Sequence, residues 1–275
     1  MTRRWLVTGC SSGLGRALAA AAAEAGDTVA ATARKPVALA ELRQRHGGRI
    51  LPLTLDVRDA DGCARAVATA VDRLGGLDVL VNNAGNGVFG AVEEVGDEEL
   101  RDQLETLVVG PWRLARLVLP VLRAQGSGHI LNVSSLAGRM SFPGLAAYTT
   151  GKHALEGMTQ ALAEEAAPFG IRVAALEPAG YATGYGTSLM DAADRSPVYR
   201  DATEPMRGQL RTMAESELVG RPEDFAREVL RIVAADGPLP VRIPVGVGSV
   251  DYVEASVRAA VAELAAVRAL ADPVT

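Results

Sequence analysis

The sequence predicts a doubly wound α/β fold, and three observations point to it. Short apolar runs alternate with longer helical patterns from residue 3 to about 176. Runs such as "ILPLTLDV" and "LDVLVNNAG" are apolar almost throughout, as parallel strands covered on both faces are. No internal repeat and no Pro/Ser-rich linker divides the chain, so residues 1–275 are read as one domain.

The elements follow in order. Strands are expected at Trp5–Thr8, Thr28–Ala33, Ile50–Leu55, Val79–Val81, His129–Val133 and Arg172–Leu176. The helices between them are Leu14–Ala25, Val37–His46, Ala60–Leu74, Asp97–Arg123 and Ala147–Pro168, with Gly26, Gly47 and Gly75 punctuating helix ends. From Pro178 to about Gly220 periodicity is weak, and a stretch of that length reads as a functional lid or binding loop, about 181–220. Its Tyr, Leu and Met residues argue against a disordered insertion. Pro222 suits the first turn of a helix reaching Ala235. "VRIPVG" reads as an edge strand, because Pro244 is barred from a central one. Val250, Val253, Val257, Val261 and Leu264 then mark an amphipathic helix that covers the core or meets another subunit, the pattern favouring the core.

Composition removes several function classes. With 48% hydrophobic and 22% charged residues the 28.6 kDa chain is an ordinary globular protein, not a disordered one. Its net charge of −5 gives no electrostatic footprint for nucleic acid. No apolar stretch approaches the length that spans a bilayer. Two cysteines, Cys10 and Cys63, fit a reducing compartment, and a cytoplasmic location is expected. His46, His129 and His153 are not grouped as metal ligands, so no metal is expected. Cys10 reads as a small packing residue and Trp112 as a helix–helix contact.

The first strand runs into Thr8-Gly9-Cys10-Ser11-Ser12-Gly13-Leu14-Gly15 and then a helix. A glycine-rich turn there lets a pyrophosphate approach the backbone and the helix N-terminus closely. Gly9 suits the turn, Gly13 the close approach and Gly15 tight helix packing. The second strand ends Ala33-Arg34-Lys35, without the carboxylate that would bind a ribose 2′-hydroxyl. Arg34 is a planar donor suited to a 2′-phosphate, which favours NADP(H) over NAD(H). Asp56, followed by Val57, is placed to accept a bond from an adenine amino group.

Tyr148 and Lys152 are four residues apart on a predicted helix and therefore share a face. A neighbouring ammonium lowers a phenol that otherwise holds its proton to about pH 10. Ser135, just beyond "HILNVS", offers a hydroxyl for a substrate oxygen. Such a Tyr/Lys pair is common by chance, and its context carries the reading.

With Thr8-Gly9-x-x-x-Gly13-x-Gly15, Asp56, Asn82-Asn83-Ala84-Gly85, Ser135, Tyr148-x-x-x-Lys152 and Pro178…Thr183 together, the chain resembles the short-chain dehydrogenase/reductases over nearly its whole length. The likeness is to the short-form branch around the 17β-hydroxysteroid dehydrogenases. It implies a Rossmann-like seven-stranded parallel sheet in the order 3-2-1-4-5-6-7. It implies Tyr148 as acid/base, Ser135 orienting the carbonyl, and Lys152 lowering the Tyr148 pKa and binding the nicotinamide ribose. Asn83, Ala84 and Gly85 would line the adenosine side, and Ser11 with Arg34 would hold the 2′-phosphate. Pro178, Ala179, Gly180 and Thr183 would run along the nicotinamide, with Thr183 bonding its carboxamide. Beyond them, Tyr181, Tyr185 and Leu189 would meet the substrate, a small-molecule ketone or alcohol of apolar, cyclic, steroid-like or polyketide character. A homodimer or homotetramer through the two long helices is also implied.

Two positions depart from the family pattern. Leu107 stands where the family has an Asn whose position breaks helix hydrogen bonding, so the proton relay is expected to be slower or rerouted. Ala179 stands for a Gly, so the loop there is expected to run differently. Two other readings compete with an NADP-dependent carbonyl reductase: a catalytically weak NADP-binding regulatory or scaffold protein, and a nucleotide-sugar dehydratase or epimerase. Intact Ser135, Tyr148 and Lys152 oppose the first. The glycine spacing and the lack of a longer C-terminal substrate domain oppose the second.

Overall fold

The structure, a computed structural model, describes residues 2–271. One parallel sheet is built from β1 (Arg4–Val7), β2 (Thr28–Ala33), β3 (Ile50–Thr54), β4 (Val79–Asn82), β5 (Gly128–Val133), β6 (Ile171–Pro178) and β7 (Arg242–Val245). Their spatial order is β3-β2-β1-β4-β5-β6-β7, as the resemblance implies. Val7 faces Ala31 on one side and Val81 on the other. The interior strand β6 has a proline only at its last residue, Pro178, while both edge strands carry one within them, Pro52 in β3 and Pro244 in β7. A residue with no N–H to donate is tolerated there, and it blunts edge-to-edge pairing.

The helices are α1 (Gly13–Glu24), α2 (Ala40–His46), α3 (Ala60–Leu74), α4 (Asp97–Leu104), α5 (Gly110–Gln125), α6 (Ala146–Ala166), α7 (Arg200–Thr212), α8 (Pro222–Ala234) and α9 (Ser249–Ala271). They cover both faces of the sheet. On one face α1 and α8 pack Leu18, Ala22, Phe225 and Val229 over β1 and β2. On the other, α3, α5 and α6 bury Val67, Ala70, Leu114, Val118 and Leu162. A smaller cluster of Phe89, Leu145 and Leu189 lies under the lid.

Four expectations are corrected. The single helix Asp97–Arg123 is two helices, joined by a π-helical turn at Glu105–Val109. The break forms with Leu107 at its centre, so it does not need a polar side chain there. Leu107 is buried and packs against Gly85 and Gly151, whose missing side chains leave the space it fills. The lid is not a plain loop, because it carries α7. That helix uses its charges inward: Arg207 bonds Asp191 at 2.6 and 2.8 Å, and Arg211 donates to the carbonyl of Leu189 at 2.8 Å. Its apolar face, Met206 and Leu210 with Met213 just past its end, lines the cleft, and Pro205 and Gly208 interrupt the helical pattern in the sequence. Trp112 is 57% exposed on α5, so it is not buried in a helix–helix contact among the described residues. On α9, Val257, Val261 and Leu264 are likewise exposed, so this helix does not cover the core.

Ala179 keeps an ordinary backbone, since only glycines have positive φ among the described residues. Its N–H bonds the carbonyl of Val245 at 3.0 Å and extends the β6–β7 pairing. Cys10 is buried, and burial pushes its thiol up to about 12, which fits a packing role. Among the described residues no helix is long and apolar enough to cross a membrane, and no group of His, Cys, Asp and Glu could hold a metal ion.

Candidate functional site

At the C-terminal ends of the strands lies a cleft of about 930 Å³, where ligands bind in open α/β sheets. Its adenosine-side candidates are Arg34, Asp56 and Val57, its turn is Gly9 to Leu14, and its far end holds Ser135, Tyr148 and Lys152. Asn83, Ala84, Gly85, Pro178, Ala179, Gly180, Tyr181, Thr183 and Tyr185 also line it. Gly15 and Leu189 are the predicted residues that do not. Gly15 lies behind the turn, where a side chain would collide with Asn83 and the carbonyl of Gly9. Leu189 packs with Phe89 and Leu145.

The turn is built for close approach. Gly9 has φ 72°, and a Cβ on it would come within 2.9 Å of the Cα of Ala84. Ser12 precedes α1 but its side chain makes no capping bond. The first N–H groups of α1 therefore keep their donor capacity at the cleft. These features fit the pyrophosphate of a dinucleotide.

At the adenosine end, Arg34 and Lys35 are exposed. Asp56 accepts from Arg58 through Nε at 3.2 Å and Nη2 at 2.9 Å. Those hydrogen bonds hold its carboxyl below the ordinary range, with Arg34 contributing a smaller pull. Asp56 is thus already committed to Arg58, a residue the sequence reading did not single out and which also lines the cleft.

At the reactive end, β5 and α6 present the polar groups. They are tied together beneath the site: Asn82 Nδ2 donates to Asn132 Oδ1 at 2.8 Å, and Asn132 Nδ2 to Thr159 Oγ1 at 2.9 Å. Ser135 Oγ accepts from the N–H of Ala137 at 3.1 Å, which leaves its own proton free to donate. Lys152 is buried, and its Nζ donates to the carbonyl of Val133 at 2.7 Å. Burial lowers Lys152 to about 8, against an opposing pull from Glu156. Lys152 Nζ is 5.5 Å from the centre of the Tyr148 ring. The expected lowering of Tyr148 by Lys152 is not seen here. Burial raises the Tyr148 phenol, and the hydroxyls of Ser135 and Tyr185 offset part of that.

Tyr185 stands beside Tyr148 with ring centres 5.6 Å apart, and its hydroxyl reaches toward that of Tyr148. Tyr181 reaches the cleft wall, but it is 3% exposed and packs edge-on against Phe225. Sequence reasoning missed Phe142, Leu145 and Leu210, which line this end with Met206 and Met213, two methionines it took only as apolar residues of the lid. It also missed Gln103, which holds the cleft loop by accepting from Val88 N at 2.7 Å and donating to Asn86 O at 2.8 Å. No motif marks these residues; only the lid's folding brings them in.

Fold and cleft together define a dinucleotide-binding α/β protein with a Ser–Tyr–Lys set. The short chain dehydrogenase family model matches residues 3–194. The chain is 40% identical over 253 residues to oxidoreductase BOA17 of Botryotinia fuckeliana, covering 92% of each. It is 33% identical over 242 residues to a 3-ketodihydrosphingosine reductase of Bacteroides thetaiotaomicron, covering 88% of this chain and 87% of that one. A solved short-chain dehydrogenase from Streptomyces avermitilis superposes with TM-score 0.90 at 39% identity, over 98% of this chain and 97% of that one. The chain belongs to the short-chain dehydrogenase family. It is an oxidoreductase of that family, whose members bind a nicotinamide cofactor, NADH or NADP in different solved structures.

Proposed function

We propose that this protein is an NADP(H)-dependent carbonyl reductase or alcohol dehydrogenase acting on an apolar ketone or secondary alcohol. The observation that carries this reading is one continuous cleft. It has an exposed arginine, Arg34, and no carboxylate at the end of β2, and Ser135, Tyr148 and Lys152 at its other end.

Arg34 and Ser11 hold the 2′-phosphate. The N-terminal amides of α1 hold the pyrophosphate. Lys152 holds the nicotinamide ribose, and Thr183 the carboxamide. The bound cofactor supplies hydride at nicotinamide C4. Ser135 and Tyr148 donate hydrogen bonds to the carbonyl oxygen and stabilise the charge that develops there. Tyr148 then gives its proton to that oxygen, and takes one back in the oxidative direction. A phenol held neutral by burial is ready to act as the acid. Phe142, Leu145, Met206 and Leu210 exclude water and favour an apolar substrate, in keeping with the 3-ketodihydrosphingosine in the name of the Bacteroides relative. We place the protein in the cytoplasm and expect it to work as a homodimer or homotetramer.

Fluorescence titration with NADPH and NADH, followed by NADPH oxidation against a panel of apolar ketones, tests the reading. Tight NADPH binding with turnover supports it. Preference for NADH overturns the role of Arg34, and tight binding without turnover on any ketone favours a non-catalytic binding protein.

A further inference from the structure

Beneath the catalytic lysine the structure buries a group of charges that the proposed reaction does not use. Glu156 lies one turn beyond Lys152 on α6, on the same face, and is 1% exposed. Glu177, on β6, is fully buried beside it. Arg139, from the turn after β5, donates through Nε to Glu177 at 2.6 Å. Arg242, from β7, brings its Nε within 3.1 Å of Glu156 Oε2. Ser134, next to catalytic Ser135, is buried with its hydroxyl at the same place: a Cβ on Gly138 would meet Ser134 Oγ at 2.6 Å and Glu156 Oε1 at 3.1 Å. Arg242 and Ser134 are thus the side chains that reach the Glu156 carboxylate.

A buried carboxylate is costly, and it is normally consumed by full pairing. Here the carboxylate pairs with Arg242 and also lies one helical turn from Lys152, the buried lysine of the described residues, on the same face. The other side of Lys152 offers no charge, because Leu107 fills the space between Gly85 and Gly151 with methyl groups. The protein groups that favour a charged Lys152 are thus the carbonyl of Val133 and the carboxylate of Glu156.

We infer that Glu156 is the positioning residue that keeps Lys152 an ammonium, with Arg242 in turn pairing with Glu156 and Arg139 with Glu177. The inference rests on Lys152 acting in the proposed reaction. Burial and Glu177 push the Glu156 carboxyl up, while Ser134, Arg242 and Arg139 pull it down. The arginines enter from β7 and from the turn after β5, so their removal reaches Lys152 only through Glu156.

The composition makes this directly measurable. The chain has two lysines, Lys35 and Lys152, so ¹³Cε-lysine labelling gives two resonances. Titration follows the Lys152 signal in the wild type, Glu156→Gln and Glu156→Asp, with exposed Lys35 as an internal reference. In Glu156→Gln the Lys152 midpoint is expected to fall by about one pH unit, a tenfold loss of ammonium above it. The alkaline limb of kcat/KM falls with it. Glu156→Asp retains the charge and gives an intermediate midpoint. A lower melting temperature with an unmoved Lys152 midpoint, in whichever of the two variants folds, makes Glu156 merely structural and overturns the inference. The midpoint is read without turnover. Failure of the catalytic reading shows elsewhere, as full activity in Tyr148→Phe, and the two failures are distinguishable.

Discussion

Asn83 donates two hydrogen bonds to Thr8 and so locks the nucleotide turn to the neighbouring strand. Asn83 Nδ2 donates to the carbonyl of Thr8 at 2.8 Å, while Thr8 Oγ1 accepts from the N–H of Asn83 at 2.9 Å. The same hydroxyl accepts from the N–H of Ala84 at 2.9 Å, and Asn83 Nδ2 also reaches the carbonyl of Gly9 at 3.3 Å. The C-terminal ends of β1 and β4 are therefore fixed to each other where the cleft opens. Asn83→Ala frees the carbonyl of Thr8 and loosens the turn. Stability is expected to fall by about 1–3 kcal/mol, with a weaker affinity for NADPH. Denaturant unfolding and fluorescence titration of the same variant check both.

Arg34→Ala removes the planar donor at the adenosine end. A charge-assisted hydrogen bond contributes about 1.5–3 kcal/mol, so the Kd for NADPH is expected to rise about 10- to 100-fold. The Kd for NADH stays nearly unchanged. An equal effect on both cofactors removes Arg34 from 2′-phosphate recognition.

Tyr148→Phe keeps the ring against Tyr185 and loses the proton donor. Turnover is expected to fall by a factor of about 10² to 10⁴, while the NADPH Kd changes little. Steady-state rates and titration on one preparation separate these effects.

Leu107→Ala opens a void between Gly85 and Gly151. The cost is expected to be about 2–5 kcal/mol, seen as a lower melting temperature. The residue fills space in the break of the long helix pair, so its loss should disturb both cofactor binding and stability.

His129 on β5 gives the fold an acid-sensitive point. Burial pushes its imidazole down to about 4, with Arg172 and Arg3 adding to the effect and Asp78 opposing it. Between pH 6.5 and 4 the unfolded chain binds a proton that the folded one does not, so stability falls as the pH falls. The loss approaches about 3 kcal/mol across that window. Glu156, with its raised carboxyl, acts in the opposite direction. His129→Gln is expected to flatten the pH slope measured by denaturant unfolding, and an unchanged slope would contradict the assignment.

The fold was legible because parallel strands buried on both faces must be apolar throughout, as "ILPLTLDV" is, and because Pro244 marks β7 as an edge strand. The turn and the Ser135, Tyr148 and Lys152 set were legible because each is a local pattern. The apolar end of the cleft was not. Met206, Leu210 and Phe142 come from distant segments, and only the folding of the lid brings the apolar face of α7 over the cleft. The exposure of Trp112 and of α9 also escaped, since periodicity shows that a helix has an apolar face but not what covers it. The direction of the Tyr148 shift depends on burial and on Lys152 turning to Val133, neither of which spacing can show.

Transfer of deuterium tests the central claim most directly. NADPH carrying deuterium at either face of nicotinamide C4 is mixed with the wild type and an apolar ketone, and the alcohol is weighed by mass spectrometry. Hydride transfer within this cleft predicts one deuterium at the carbinol carbon from one face of the cofactor and none from the other, with the label slowed at least a hundredfold in Tyr148→Phe. Transfer from neither face across the panel, or equal transfer in the variant, contradicts the account.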